Sequence, residues 1–214
     1  MTEYRDAQGK RLEDYPRPSV AVDSAVLTLD SERGLCVILS TSGPSPRLPG
    51  TFLREGETLA DAVSRSLLEK AGVEGLAPTQ LHVFDDPRRD DRGWVLSVAH
   101  LDTVSPDRLR LDRSVADLWP VERMPRLPFD HDQIVVRAVE ALRAEYRRLP
   151  DPRHLLADTF TLRELHAAHE AIAGARIARD TFRRFMRAHL DETGARTTGV
   201  VGKPARLFRR REDQ

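Results

Sequence analysis

The segment Gly50–Val73, GTFLREGETLADAVSRSLLEKAGV, limits the fold more than any other stretch of the chain. It reads as a loop running into a helix and out again. Thr58 is placed to cap the helix start, with Asp61 three residues on completing something close to a capping box. Leu59, Ala62, Val63, Leu67 and Ala71 recur at helical spacing and define one apolar face. Gly72 falls where a left-handed C-cap is expected. Glu57 in the loop and Arg65 on the helix carry opposite charges and can clamp one to the other.

At 214 residues the chain has room for two modest domains or one large one. An apolar content of 40% with 32% charged residues suits a soluble globular protein. No apolar run reaches the roughly 18 residues of a membrane span. The opening MTEYRDAQGKRLEDY is charged throughout and reads as no signal peptide, so a cytoplasmic location is expected. The lone cysteine, Cys36, lies in an apolar run and reads as a buried strand thiol. Residues 1–150 hold 21 Lys and Arg against 25 Asp and Glu, a net of −4, whereas residues 151–214 hold 13 against 9, a net of +4. A basic tail on an acidic body points to a polyanion partner for the tail.

Residues 1–16 are polar and expected to be a flexible N-terminus. Strands are predicted from Val20 to Asp30, over Gly34–Ser40 with Ser31–Arg33 as the turn, over Leu81–Phe84, from Trp94 to Val104 and over Val115–Pro120. The charged loop Asp85–Gly93 reads either as a solvated hairpin tip or as a source of arginines, Arg88, Arg89 or Arg92, for a diphosphate. A second helix follows LPFDHDQIV with Ile134, Val135, Ala138, Val139 and Leu142 inward. Asp130 at its start reads as the cap and His131 as structural. Short mixed strands with two helices make an α/β/α sandwich over residues 17–149.

Leu149-Pro150-Asp151-Pro152 breaks the helix and marks a boundary, with a second domain over 150–214. Thr161–Ala173 reads as a helix with a Thr161/Glu164 capping box, and Gly174 permits a tight turn. A further helix is predicted over about Arg179–Leu190, with Phe182, Phe185, Met186 and Leu190 inward and Arg179, Thr181, Arg183, Arg184 and Arg187 outward. Two short strands are expected next, around Val200-Val201 and Leu207-Phe208, with a tip near Gly202-Lys203. Helix, turn, arginine-faced helix and basic hairpin is the order of a winged helix-turn-helix. Such modules lay the second helix in the major groove. The candidate DNA contacts are therefore Arg179, Thr181, Arg183, Arg184, Arg187 and Lys203. Arg209–Arg211 reads as a charged end that at most touches phosphate.

The segment 50–73 resembles the signature of the Nudix family: Gly, five residues, Glu, seven residues, then Arg-Glu-apolar-any-Glu-Glu-any-Gly-apolar. Glu57, Arg65, Leu67, Glu69, Gly72 and Val73 match, and Thr51 takes the opening position just after Gly50. Ser66 and Lys70 depart from the pattern at two of the three carboxylates, 66, 69 and 70, that a hydrolase of the family uses for divalent metal. At i, i+3 and i+4 these share one helix face. One carboxylate of three and an adjacent ammonium imply a site with no metal and no catalytic residues, one that binds but hydrolyses poorly or not at all, unless residues elsewhere supply the missing ligands. With the winged helix behind it, the chain from about Tyr15 resembles the Nudix-related transcriptional regulators, the NrtR family. That resemblance implies a homodimeric repressor on a palindromic operator, controlling NAD synthesis and salvage genes. It also implies ADP-ribose as the effector and no cofactor. The candidate ligand contacts are Arg17, Arg47, Arg54, Glu69, Lys70, Arg88 and Arg89, with Lys70 supplying the positive charge that a metal would bring. Two other readings stay open: a working hydrolase of ADP-ribose-type substrates, and a regulator of the same build that controls sugar use or senses another metabolite such as NAD or a sugar phosphate.

Overall fold

A twelve-residue strand, β1 (Ser19–Asp30), organises the first domain. In the computed structural model, which describes residues 5–198 and 204–211, β1 is hydrogen-bonded on both sides along its length. It runs parallel to β5 (Val95–Thr103) from Ser19 to Leu27. On its other side, Ala21–Asp23 pair with β3 (Gly50–Phe52) and Leu27–Asp30 with β2 (Gly34–Ser40), both antiparallel. β4 (Thr79–Phe84) and β6 (Ala116–Pro120) complete a six-stranded mixed sheet of order β4-β5-β1-β2-β6.

The period-two alternation of the strands sorts side chains to two faces. Val22, Val26, Cys36 and Ile38 meet helix α1 (Leu59–Ala71) through Ala62, Val63, Leu67 and Ala71. Ala25, Leu27, Leu35, Val37 and Leu39 meet helix α2 (His131–Tyr146) through Ile134, Val135, Ala138, Val139 and Leu142. The expected α/β/α sandwich is the observed one. Cys36 is fully buried, and burial pushes its thiol up to about 11. In α1 the Thr58/Asp61 capping box forms, and Gly72 ends the helix at φ 64°.

The second domain holds α3 (Leu162–Ala173), α4 (Arg179–Met186) and the antiparallel hairpin β7 (Leu190–Arg196) and β8 (Arg206–Arg210). Thr161 and Glu164 form their capping box. Phe160, Leu165, Phe182, Met186, Leu190 and Phe208 are its core. Three details differ from expectation. α4 stops at Met186, a short 3-10 turn spans Arg187–His189, and Leu190 already begins the hairpin. Phe185 is half exposed, because only one side of so short a helix faces the core. Arg210 points inward rather than to solvent. Val200, Val201, Gly202 and Lys203, which carry the predicted tip, lie outside the described residues.

A core of this size is marginal alone, and the second domain is tied into the first. Ile172 of α3 joins the sandwich core, and Arg143 of α2 donates to its carbonyl at 2.8 Å. Gly174 turns at φ 67°, and a Cβ there would lie 2.8 Å from the Glu122 carboxylate. At the break after α2, the Asp151 carboxylate is buried. It accepts from the hydroxyl of Tyr146, from Leu155 N–H at 2.9 Å and Leu156 N–H at 3.0 Å, and from the Arg210 guanidinium of β8. Burial and the neighbouring Asp151 charge raise the Tyr146 pKa, so the phenol stays a donor. Removing one partner of a buried pair leaves the other charge uncompensated. Asp151→Ala is expected to cost about 3–5 kcal/mol in urea denaturation; a loss below about 1 kcal/mol would mean that the joint carries no load.

Candidate ligand cleft and DNA-binding surface

The cleft of the first domain, about 170 Å³, opens where β1, β3, α1 and the β4–β5 loop meet the start of α2. Asp23 of β1 forms its floor. Its carboxylate accepts from Ser97 Oγ at 2.6 Å, lies 3.3 Å from His131 Nε2 and 3.5 Å from Arg89 Nη2. Burial pushes the Asp23 carboxyl up, and the surrounding His131, Ser97 and Arg89 more than offset this, holding it below the usual range. Leu48 N–H donates to His131 Nδ1 at 3.0 Å, which leaves the ring proton on Nε2, facing Asp23. A Cβ on Gly50 would sit 1.8 Å from Asp23 Oδ1, so no other residue fits there.

The β4–β5 loop is exposed along most of its length, with two residues turned inward. Arg89 and Asp90 are buried. Arg89 forms a two-pronged bond to Asp130, with Nε at 2.8 Å from Oδ2. Asp130 therefore does not cap α2 through its side chain: the carboxylate is committed to Arg89. Arg92 is held by Asp90 at 2.6 and 2.8 Å, and its guanidinium carbon lies 5.2 Å from the Phe52 ring centre and 5.0 Å from that of Phe129. Phe129 adopts φ 59°, a strained setting for a bulky side chain that needs surrounding structure to hold it.

Lys70 enters the cleft from the last turn of α1 and donates to the Gly50 carbonyl oxygen. Burial lowers its pKa, the negative Asp23 opposes that shift, and the positive Arg47 adds to it. Arg47 donates to the Ser45 carbonyl at 3.3 Å. Beside the cleft, Glu57 and Arg65 form the expected clamp, with bonds of 2.8 Å from Nε and Nη2, while Arg65 also reaches Thr51 Oγ1 at 3.0 Å and the Phe52 carbonyl at 3.1 Å.

In the second domain Phe182 anchors α4. Its ring lies between two histidines of α3, with centroids at 4.9 Å from His166 and 4.8 Å from His169. His166 is bonded to the Ile177 carbonyl at 2.9 Å and His169 to the Pro150 carbonyl at 2.6 Å. Burial lowers the His169 pKa, so this ring packs as a neutral group. With Phe182 and Met186 inward, Arg179, Arg183 and Arg184 are exposed on the helix and Arg187 on the turn after it. Thr181 is also exposed, but lies on the flank of the helix that lines a groove with Phe185, Tyr146 and Arg147. Arg209 and Arg211 face outward beside Asp191, at 4.0 and 3.1 Å.

Residues 19–158 match the family model of the NUDIX domain, and residues 152–210 match that of the NrtR DNA-binding winged helix domain. The ADPR responsive transcriptional repressor NtrR of Acinetobacter baylyi is 29% identical over 210 residues, covering 92% of this chain and 83% of the relative. The crystal structure of Shewanella oneidensis NrtR complexed with a 27mer DNA superposes with a TM-score of 0.72 at 30% identity, covering 90% of this chain and 93% of that one. The chain belongs to the NrtR family of Nudix-related transcriptional regulators. The NUDIX domain of the same Shewanella protein, solved with ADP ribose, matches 63% of this chain and 95% of that one, at 29% identity and a TM-score of 0.53. An ADP-ribose pyrophosphatase of Methanocaldococcus jannaschii is 32% identical over 136 residues, covering 61% of this chain and 78% of the relative.

Within this Nudix-related framework the sequence-predicted contacts divide. Arg47, Lys70 and Arg89 line the cleft, with Arg89 tied to Asp130. Glu69 is half exposed and 3.9 Å from Arg65. Arg17 faces Glu13, Arg88 faces Asp86, and the Arg54 backbone N–H serves Glu57; none of these three lines the cleft. Phe52, Phe129 and Asp23 were not singled out from sequence, because nothing local marks them. Magnesium needs near-octahedral oxygen ligation. At the signature positions the donors are one half-exposed carboxylate, Glu69, and an ammonium, Lys70, while the cleft's own carboxylates are committed, Asp23 to Ser97, His131 and Arg89 and Asp90 to Arg92. Ser66, expected on the same face, is instead fully buried and its hydroxyl has no partner among the described residues. No group of three or more His, Cys, Asp or Glu gathers at ligating distance among the described residues. These residues do not fit a divalent cation.

The clamp gives a pH signature. The Arg65 side chain, helped by Arg54 N–H, holds the Glu57 carboxyl down to about 2, from an ordinary 4.5. A depressed folded-state value contributes stability in full above the unfolded value and loses it as pH falls toward the folded one. Glu57→Gln is therefore expected to destabilise the protein near neutral pH. Urea midpoints of variant and parent should converge as pH drops from about 4.5 to about 2; a gap that stays constant over that range contradicts the assignment.

Proposed function

We propose that the protein is a transcriptional repressor that reads DNA with its winged helix and senses ADP-ribose in its Nudix cleft without hydrolysing it. The observation that carries the reading is one chain joining a phosphate-handling scaffold, stripped of metal ligands, to an arginine-faced helix. The likeness to regulators described as ADP-ribose responsive and DNA-bound supports both halves. Target genes of NAD synthesis and salvage fit such an effector. Arg179, Arg183, Arg184 and Arg187 meet phosphates and base edges in the major groove, for which guanidinium forks are suited. Lys203, which lies outside the described residues, adds a phosphate contact. Two copies with two-fold symmetry read a palindrome whose half-sites lie about one helical turn apart or a multiple of it. Among the described residues no helix is long and apolar enough to cross a membrane, and a repressor acts at the nucleoid.

The response needs a link between cleft and reading head. Helix α2 supplies one: His131 at its start lines the cleft, Asp130 just before it holds the cleft residue Arg89, and Tyr146 at its end contacts both Asp151 and His169. Ligand that prefers one setting of α2 shifts the population of dimers whose heads match the operator.

A second reading, an active ADP-ribose hydrolase, is favoured by the likeness to the archaeal pyrophosphatase. Gel shift on the duplex upstream of the protein's own operon separates the two. Retarded DNA that ADP-ribose releases is the expected result; no shift, together with magnesium-dependent AMP release, overturns it. Arg183→Ala and Arg184→Ala should each weaken binding about 10-fold or more, and loss of a phosphate contact should lower the slope of log affinity against log salt by about 1.

A further inference from the structure

The charges that face the cleft are not all spoken for. Arg92 is neutralised by Asp90, and Arg89 by Asp130 with Asp23 beside it. Arg47 and Lys70 differ: each donates to a backbone carbonyl, of Ser45 and of Gly50, and among the described residues neither has an ion-pair partner. Asp23 turns its oxygens to Ser97, His131 and Arg89 and lies outside ion-pair distance of Lys70. A carbonyl dipole satisfies a donor without cancelling its charge. Two cations lining a partly enclosed space favour a dianion, since screening is weaker there than in open solvent.

Resting on the reading that the cleft receives ADP-ribose, we infer that Lys70 and Arg47 form a metal-free cradle for the ligand's diphosphate. The Lys70 ammonium takes the charge-neutralising part of a divalent cation. A bound metal does two things for a diphosphate: it neutralises charge, and it generates an attacking hydroxide from water. An ammonium does the first and not the second. The substitution of Glu by Lys at this turn of α1 thus converts a metal-dependent cutting site into a metal-independent holding site. Arg47, on the β2–β3 loop, brackets the diphosphate from the other wall with a fork that fits phosphate oxygens. Gly50 serves this site twice: its carbonyl holds Lys70 in place, and its missing side chain leaves room for the Asp23 carboxylate.

Calorimetry on the full chain with ADP-ribose tests this, in EDTA and in excess magnesium. Equal affinity in both is expected for the parent. Lys70→Met and Arg47→Met should each weaken binding about 10-fold or more in both buffers, the loss typical of a hydrogen bond to a charged group. Lys70→Glu should lose binding in EDTA and recover part of it with magnesium. Circular dichroism shows whether that variant folds, and Lys70→Met carries the test where it does not. Parent binding that requires magnesium, or a Lys70→Met variant with unchanged affinity, overturns the cradle while leaving ADP-ribose as the effector. No heat of binding from the parent in either buffer overturns the effector reading itself.

Discussion

The buried carboxylate of Asp151 holds the two halves of this molecule in one arrangement. It collects the hydroxyl of Tyr146 from α2, two backbone N–H groups from the linker and the Arg210 guanidinium from the last strand of the winged domain. Arg210 also donates to the Leu156 carbonyl at 2.7 Å and covers the Phe160 ring. A small domain with few core side chains gains from such an anchor, since its own apolar burial leaves little margin. Ionic anchors of this kind are better suited to fixing one geometry than to adding stability. Here the geometry fixed is the position of the hairpin relative to α2. Tyr146 also packs edge-on against His169, at 5.2 Å between centroids, and His169 against Phe182 of α4. One side chain therefore touches the supports of both α4 and the hairpin.

The other end of α2 stands in the ligand cleft. Its sixteen residues span about 24 Å as a rigid rod. The floor at that end, Asp23 with His131 and Arg89 with Asp130, is satisfied internally and is positioned by long-range partners. A cleft of about 170 Å³ encloses less than a typical small-molecule site. Its rim carries the Phe52 and Phe129 rings with Arg92 beside them. The strained backbone of Phe129, one residue before Asp130, sits between this rim and the start of α2. Strain at such a point fits a segment with two settings, one of which ligand favours.

The parts of this design that were legible in the sequence are those that chemistry writes locally. Both capping boxes, the left-handed Gly72 after α1, the turn at Gly174 after α3 and the Glu57–Arg65 clamp each arise from residues close in sequence, and each formed as read, whereas the short strand β3 carries no such local signal. The parts that were not legible depend on partners far along the chain. Asp130 looks like a helix cap, yet Arg89, forty-one residues earlier, outcompetes the helix N–H groups for its oxygens. Arg210 looks like one of three solvated arginines until Asp151, fifty-nine residues away, draws it inward. Spacing puts Ser66 on one helix face with Glu69 and Lys70, yet it is fully buried while Glu69 is half exposed. Phe185 follows the apolar spacing of its helix, and its exposure reflects how short α4 is.

If ligand and DNA favour different settings of one rod and one joint, their affinities must be coupled, and the coupling must be reciprocal. The most direct measurement is ADP-ribose affinity by calorimetry, on the free protein and on the protein saturated with its operator duplex. The account predicts weaker ADP-ribose binding to the DNA-bound form, by the same factor by which ADP-ribose weakens DNA binding. Equal ADP-ribose affinity in the two states would show that the cleft and the reading head do not communicate, and would contradict it.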